Sequence, residues 1–181
     1  MEFKIPFYHV VNMLLTGLVL LGGGLLLFPN IALSVLDNSI FDRANAIPEI
    51  IEAICFIAIA YEAGLIVNRI GSLLIEALLI KMKLIPFNND YIRYNERQKK
   101  YPIMPILSRE YALSRTGIAL FVLLGVMALF SKCKIYSIPL FLIAVVYCAS
   151  CRKHAKKIVA LMGDLESKND TSNNDIQGNC V

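Results

Sequence analysis

Apolar positions along this chain fall in four long runs rather than in the alternation of a surface strand or the stripe of a surface helix. The first goes from Val10 to Phe28, broken only by Asn12, Thr16 and glycines, and Pro29-Asn30 closes it. Nineteen residues rising ~1.5 Å each match the roughly 30 Å of a bilayer's hydrocarbon. The second run starts after Pro48, a residue suited to a helix's first turn, and continues to about Ile80. It is longer than a crossing needs. Ala53 to Val67 is almost wholly apolar, whereas Asn68 to Leu84 is amphipathic, which predicts a helix that leaves the hydrocarbon and continues at the interface. The third run is cleanest from Thr116 to Phe130, after a polar approach in Ser108 to Arg115. The fourth covers Ile135 to Cys151, with Pro139 near its start, where proline is tolerated. Only Lys132-Cys133-Lys134 separates these two, which predicts an antiparallel hairpin.

The pattern therefore predicts an all-α, polytopic membrane bundle, a single unit over 1–162 with helices at about 10–30, 49–80, 108–131 and 135–152. A cleaved leader is the rival reading of the first run. Ala44-x-Ala46 resembles a cleavage site but lies too far along, and the run exceeds a leader's ~7–15 apolar residues, so a retained span is expected. The stretch 163–181 is rich in Asn, Asp and Ser without an aromatic residue, and is expected to be a disordered tail.

Composition strengthens this picture. Hydrophobic residues are 57% of 181 and charged residues 18%, with mean hydropathy +0.61, against about a quarter charged in soluble domains. Charge adds an orientation. Of 18 Lys and Arg, 14 lie at the N-terminus, between runs two and three, or after run four. Only Arg43, Lys132 and Lys134 fall on the opposite side, and Arg69 is inside run two. The positive-inside rule then places both termini and the loop 81–107 in the cytoplasm, N-in and C-in, and the protein in a cell's inner membrane.

Charged residues inside run two change the picture most. Ionisable groups in a span cost about 2.5–3.5 kcal/mol each and normally face a bundle interior or a wet cavity. Glu62, Arg69 and Glu76 recur every seven residues, a step that drifts only about 20° around a helix, so they form one stripe. Asn68 and Ser72 lie on an adjoining stripe, and Gly64 and Gly71 on the opposite face, where another backbone can come close. Arg115, at matching depth in run three, is the expected partner of Glu76. Glu62, Asn68, Arg69, Ser72, Glu76 and Arg115 are thus predicted to form a polar network, which Arg109, Glu110, Tyr111 and Ser114 could extend. Such a network fixes helix register or assembly in some proteins and carries ions or protons in others.

Weaker signals add little chemistry. Cys148-Ala-Ser-Cys151 with His154 has C-x-x-C spacing, but the three drift about 60° per step around a helix and no second cysteine pair exists. Gly22-Gly23-Gly24 lacks both the preceding strand and the spacing of a nucleotide loop. No catalytic pair, metal set or cofactor is expected, and an enzyme is the least favoured class. The loop's Arg93, Arg97, Lys99 and Lys100, interleaved with tyrosines, read as a contact with anionic headgroups or a cytoplasmic protein partner, without direct nucleic-acid binding.

Tyr61-Glu62, Asn68-Arg69, Ser72 and Glu76, followed by Ser108-Arg109-Glu110-Tyr111 and Arg115-Thr116, resemble small four-span bacterial membrane proteins of phage-defence loci, such as the membrane subunit of Kiwa-type systems. The resemblance covers about 50–130. It implies a homo-oligomeric membrane sensor, effector or scaffold that acts with a soluble partner in antiviral defence. The alternative from the residues themselves is a small ion or proton channel using the Glu/Arg stripe.

Overall fold

Where the first two helices cross, each brings a glycine against the backbone of the other. A Cβ on Gly17 would overlap the carbonyl of Ala60, and one on Gly64 would overlap the carbonyl of Met13. The two backbones therefore touch, as small residues allow in membrane bundles. The computed structural model in which this is seen describes residues 7–30, 34, 46–84, 94–95, 98, 101–132 and 134–163.

Among these residues the chain is all-helical. Helix α1 (Phe7–Leu27) is antiparallel to α2 (Ala46–Ile70), which continues through a π-helical turn (Gly71–Ile75) into α3 (Glu76–Lys81). Helix α4 (Met104–Phe130) follows, then a 3₁₀ turn (Lys134–Tyr136) and α5 (Ser137–Gly163). Four helices are long and apolar enough to cross a membrane: Phe7–Leu27, Ile50–Lys81, Met104–Phe130 and Lys134–Met162. The chain is a multi-pass membrane protein by this measure.

Helix α4 is the central span. It packs on α5 along its length, with Gly117 under the ring of Tyr147 and Gly125 under that of Phe141. Phe121 and Tyr147 stack with ring centroids 5.6 Å apart. On the other side, α1 leans on α4 through Gly23 against Leu124 and Gly24 against Met127. One apolar cluster joins Val67 to Ala119, Leu120 and Leu124. A second joins Leu79, Met104, Leu107 and Tyr111 to Cys151, Ala155 and Ile158.

The two largest boundary differences from the sequence expectation have reasons visible in this second cluster. Helix α4 begins at Met104 rather than 108, because Met104 and Leu107 are buried and Pro105 sits in the first turn, where no amide partner is lost. Helix α5 continues past 152 to Gly163 because Cys151, Ala155 and Ile158 keep one face buried while Arg152, Lys153, Lys156 and Lys157 occupy the other.

Helix α3 stops in a Schellman arrangement, with the Leu84 amide donating to the Leu79 carbonyl (3.0 Å) and the Lys83 amide to that of Ile80 (2.9 Å). Lys83, at φ 55°, takes the left-handed position usually given to glycine. Most of the loop that follows, including Arg93, Arg97, Lys99 and Lys100, lies outside the described residues, as does the tail from 164 onward.

Candidate functional site

Gly71 opens the site. A Cβ there would lie 3.2 Å from the carbonyl oxygen of Arg115, so the backbones of the second and third spans come close at this point. Here α2 changes winding. The buried positions Ala60, Gly64, Val67 and Gly71 follow α-helical spacing, which would next bury 74 or 75 and then 78. Instead Leu74 is 65% and Leu78 52% exposed, while Leu79 is 4% exposed. The π turn takes up one extra residue, which displaces everything after it by about 100° from α-helical phase.

That displacement decides which charges meet. Glu76 turns toward α4, where its carboxylate accepts a hydrogen bond from Nη1 of Arg115. Their side chains are 27% and 14% exposed respectively, so this ion pair is largely shielded from solvent. The Arg115 guanidinium also stands 5.7 Å from the centroid of the Tyr111 ring one turn earlier, within cation–π range. Three groups thus hold the arginine in a single place: a carboxylate, an aromatic face and the close backbone at Gly71.

The adjoining stripe makes a second, neutral contact. The hydroxyl of Thr116, a residue 1% exposed, donates to Oδ1 of Asn68 at 2.9 Å and lies equally close to the carbonyl of Ala112. On the far side of α4, the hydroxyls of Ser114 and Ser150 are 3.1 Å apart and tie in α5. Ser72 is half-buried beside the seam without a side-chain hydrogen bond among the described residues.

Glu62 and Arg69 do not join this group. Both are exposed, because they precede the π turn and keep the phase that faces away from α4. The predicted six-residue network is therefore two separate features. One is an internal seam of Asn68, Glu76 and Arg115 with Ser72 beside it; the other is an external stripe of Glu62 and Arg69. The glycines divide as well. Gly64 meets α1 and Gly71 meets α4, so they serve two partners rather than one face.

Thr116 and Tyr111 belong to the seam but were not placed at its centre by sequence spacing. The signal was present: Ser108, Ala112, Arg115 and Thr116 recur at the three- and four-residue intervals of one helix face. Cys148 is half-buried and Cys151 buried in α5. Among the described residues, no three His, Cys, Asp or Glu side chains gather as a metal set.

Compared with protein-family models, with curated protein sequences and with solved structures, the chain matches none of them.

Proposed function

We propose that this chain is the membrane-embedded subunit of a sensor, effector or scaffold, which assembles with copies of itself through the outer face of its second span. One observation carries the reading. Glu62 and Arg69 are exposed on α2, within the span, while the neighbouring Glu76–Arg115 pair is satisfied internally. Charges facing lipid at that depth are costly and are normally covered by protein or by water. Each copy offers one acid and one base on a stripe that also includes Ile66 and Leu73 at helical spacing, so copies are complementary to one another in charge and shape.

The distribution of Lys and Arg supports a cytoplasmic loop and cytoplasmic termini in an inner membrane. From that side Arg93, Arg97, Lys99 and Lys100 would engage a soluble acidic partner. A role in antiphage defence follows from the resemblance of the Tyr61–Glu76 and Ser108–Thr116 segments alone. Mass measurement in native nanodiscs tests the assembly. The expected result is a discrete multiple of 20.2 kDa that breaks down in Glu62→Gln/Arg69→Gln; a wild-type monomer would end the proposal. Neutralising the four loop residues is expected to abolish co-purification of the partner while leaving the oligomer intact.

A pore along the same stripe is the second reading, and it would form between copies, since both charges face outward from one chain. Ion flux in liposomes that Glu62→Gln alters would favour it over a purely structural interface.

A further inference from the structure

Between the first turns of α1, the first turns of α4 and the middle of the second span lies a cavity of about 260 Å³. Its polar lining includes His9 and Asn12, Asn68, and Ser108, Arg109 and Arg115. Arg115 is shared with the Glu76 seam, but no carboxylate lines this space among the described residues. Two arginines and a histidine face it together with groups that are all able to donate hydrogen bonds.

The donors are also incompletely used. Arg115 gives Nη1 to Glu76, but its Nε is buried with no partner among the described residues. Asn68 has its Oδ1 occupied by Thr116, which leaves its NH₂ as the group free to donate. Arg109 forms no ion pair with a described residue. A cavity holding donors in excess, one positive charge beyond what Glu76 neutralises, and no competing acid among the described residues is suited to an anion with several acceptor oxygens.

We infer that this cavity binds a phosphate group, with Arg109 and Arg115 as its charge partners and Asn68, Ser108 and His9 as hydrogen-bond donors. Its α1 and α4 residues come from the N-terminal turns of both helices, which lie at the same end of the bundle. A phospholipid phosphate and a phosphate-bearing solute are the two sources of that group. One chain supplies the donors named above, so the inference does not rest on the proposed self-association.

Purified protein in neutral detergent, free of phosphate, separates these sources. One arm adds mixed micelles containing phosphatidylglycerol, and the other adds inorganic phosphate or pyrophosphate; binding is followed by calorimetry and by thermal unfolding. Saturable binding in either arm is expected, weakened about tenfold or more in Arg109→Gln, as loss of one charge-assisted contact implies. Arg109→Gln is preferred to Arg115 variants because Arg109 is exposed and makes no hydrogen bond or ion pair among the described residues. The double variant Lys156→Gln/Lys157→Gln, on the exposed basic face of α5, is expected to bind as wild type. Binding in the micelle arm alone identifies a lipid site, and competition by soluble phosphate identifies a solute site. The inference is overturned if neither probe binds, or if the α5 variant loses as much affinity as Arg109→Gln.

Discussion

Glu76 and Arg115 pair across the second and third spans only because a π turn lies between Glu76 and the rest of its stripe. With α-helical winding throughout, Glu76 would stay in line with Glu62 and Arg69, and Arg115 would face an apolar surface.

The pair is asymmetric, and single substitutions should show it. Glu76→Gln leaves the less exposed partner, Arg115 at 14%, without its counter-charge. It is expected to destabilise by about 1–3 kcal/mol, below the ~3–5 kcal/mol seen when a fully buried pair is broken. Arg115→Gln should cost less, because Glu76 is the more exposed member of the pair. Exchanging both residues, Glu76→Arg with Arg115→Glu, should recover part of the loss in a thermal-unfolding cycle. Additive losses would mean that the two side chains do not interact.

Deleting one exposed residue from the π turn should be tolerated. Removing Leu74 converts the turn to α-helical winding while both flanking segments keep their faces, since the turn holds one residue more than an α-helix needs there. The expected outcome is an unfolding temperature close to wild type, with the Glu76–Arg115 coupling retained. Deleting Ile66, an exposed residue in the regular part of α2, should instead rotate one flank by about 100° and prevent assembly of the bundle. Equal damage from both deletions would count against the π turn.

Glycines of identical type should respond differently to alanine. At Gly17 and Gly64 the atoms a methyl would strike are backbone carbonyls of the opposing helix, so the two helices must separate. Either substitution is expected to lower thermal stability sharply. Gly22 has nothing within 4 Å of an added Cβ, and its replacement by alanine should be neutral or stabilising by up to about 1 kcal/mol through helix propensity. Unfolding temperatures of the three variants in one detergent provide the comparison.

Cys55 is exposed on α2, seven residues before Glu62 and so on the same stripe. If copies meet face to face along this stripe, mild oxidation of native membranes should yield a disulfide-linked dimer that Cys55→Ser abolishes. Glu62→Gln/Arg69→Gln should reduce its yield severalfold. A cross-link unaffected by those changes would place the interface elsewhere.

The four spans, their order and the close hairpin between the last two could be read from residues alone, because an uninterrupted apolar run of bilayer length has few other uses. The candidate partners Glu76 and Arg115 were also legible, as charges at matching depth on adjacent spans. Winding was not legible. A π turn leaves no compositional mark in Gly71-Ser-Leu-Leu-Ile75, and its effect is to split a seven-residue stripe that sequence periodicity makes continuous. The cavity was hidden for a different reason: His9 and Asn12 come from a helix distant in sequence from Arg109 and Arg115. Local pattern thus determined which segments cross the membrane and which charges they carry. Only tertiary packing, through the backbone contacts at Gly17, Gly64 and Gly71, decided which of those charges face inward, because the phase of a helix is set by what it packs against.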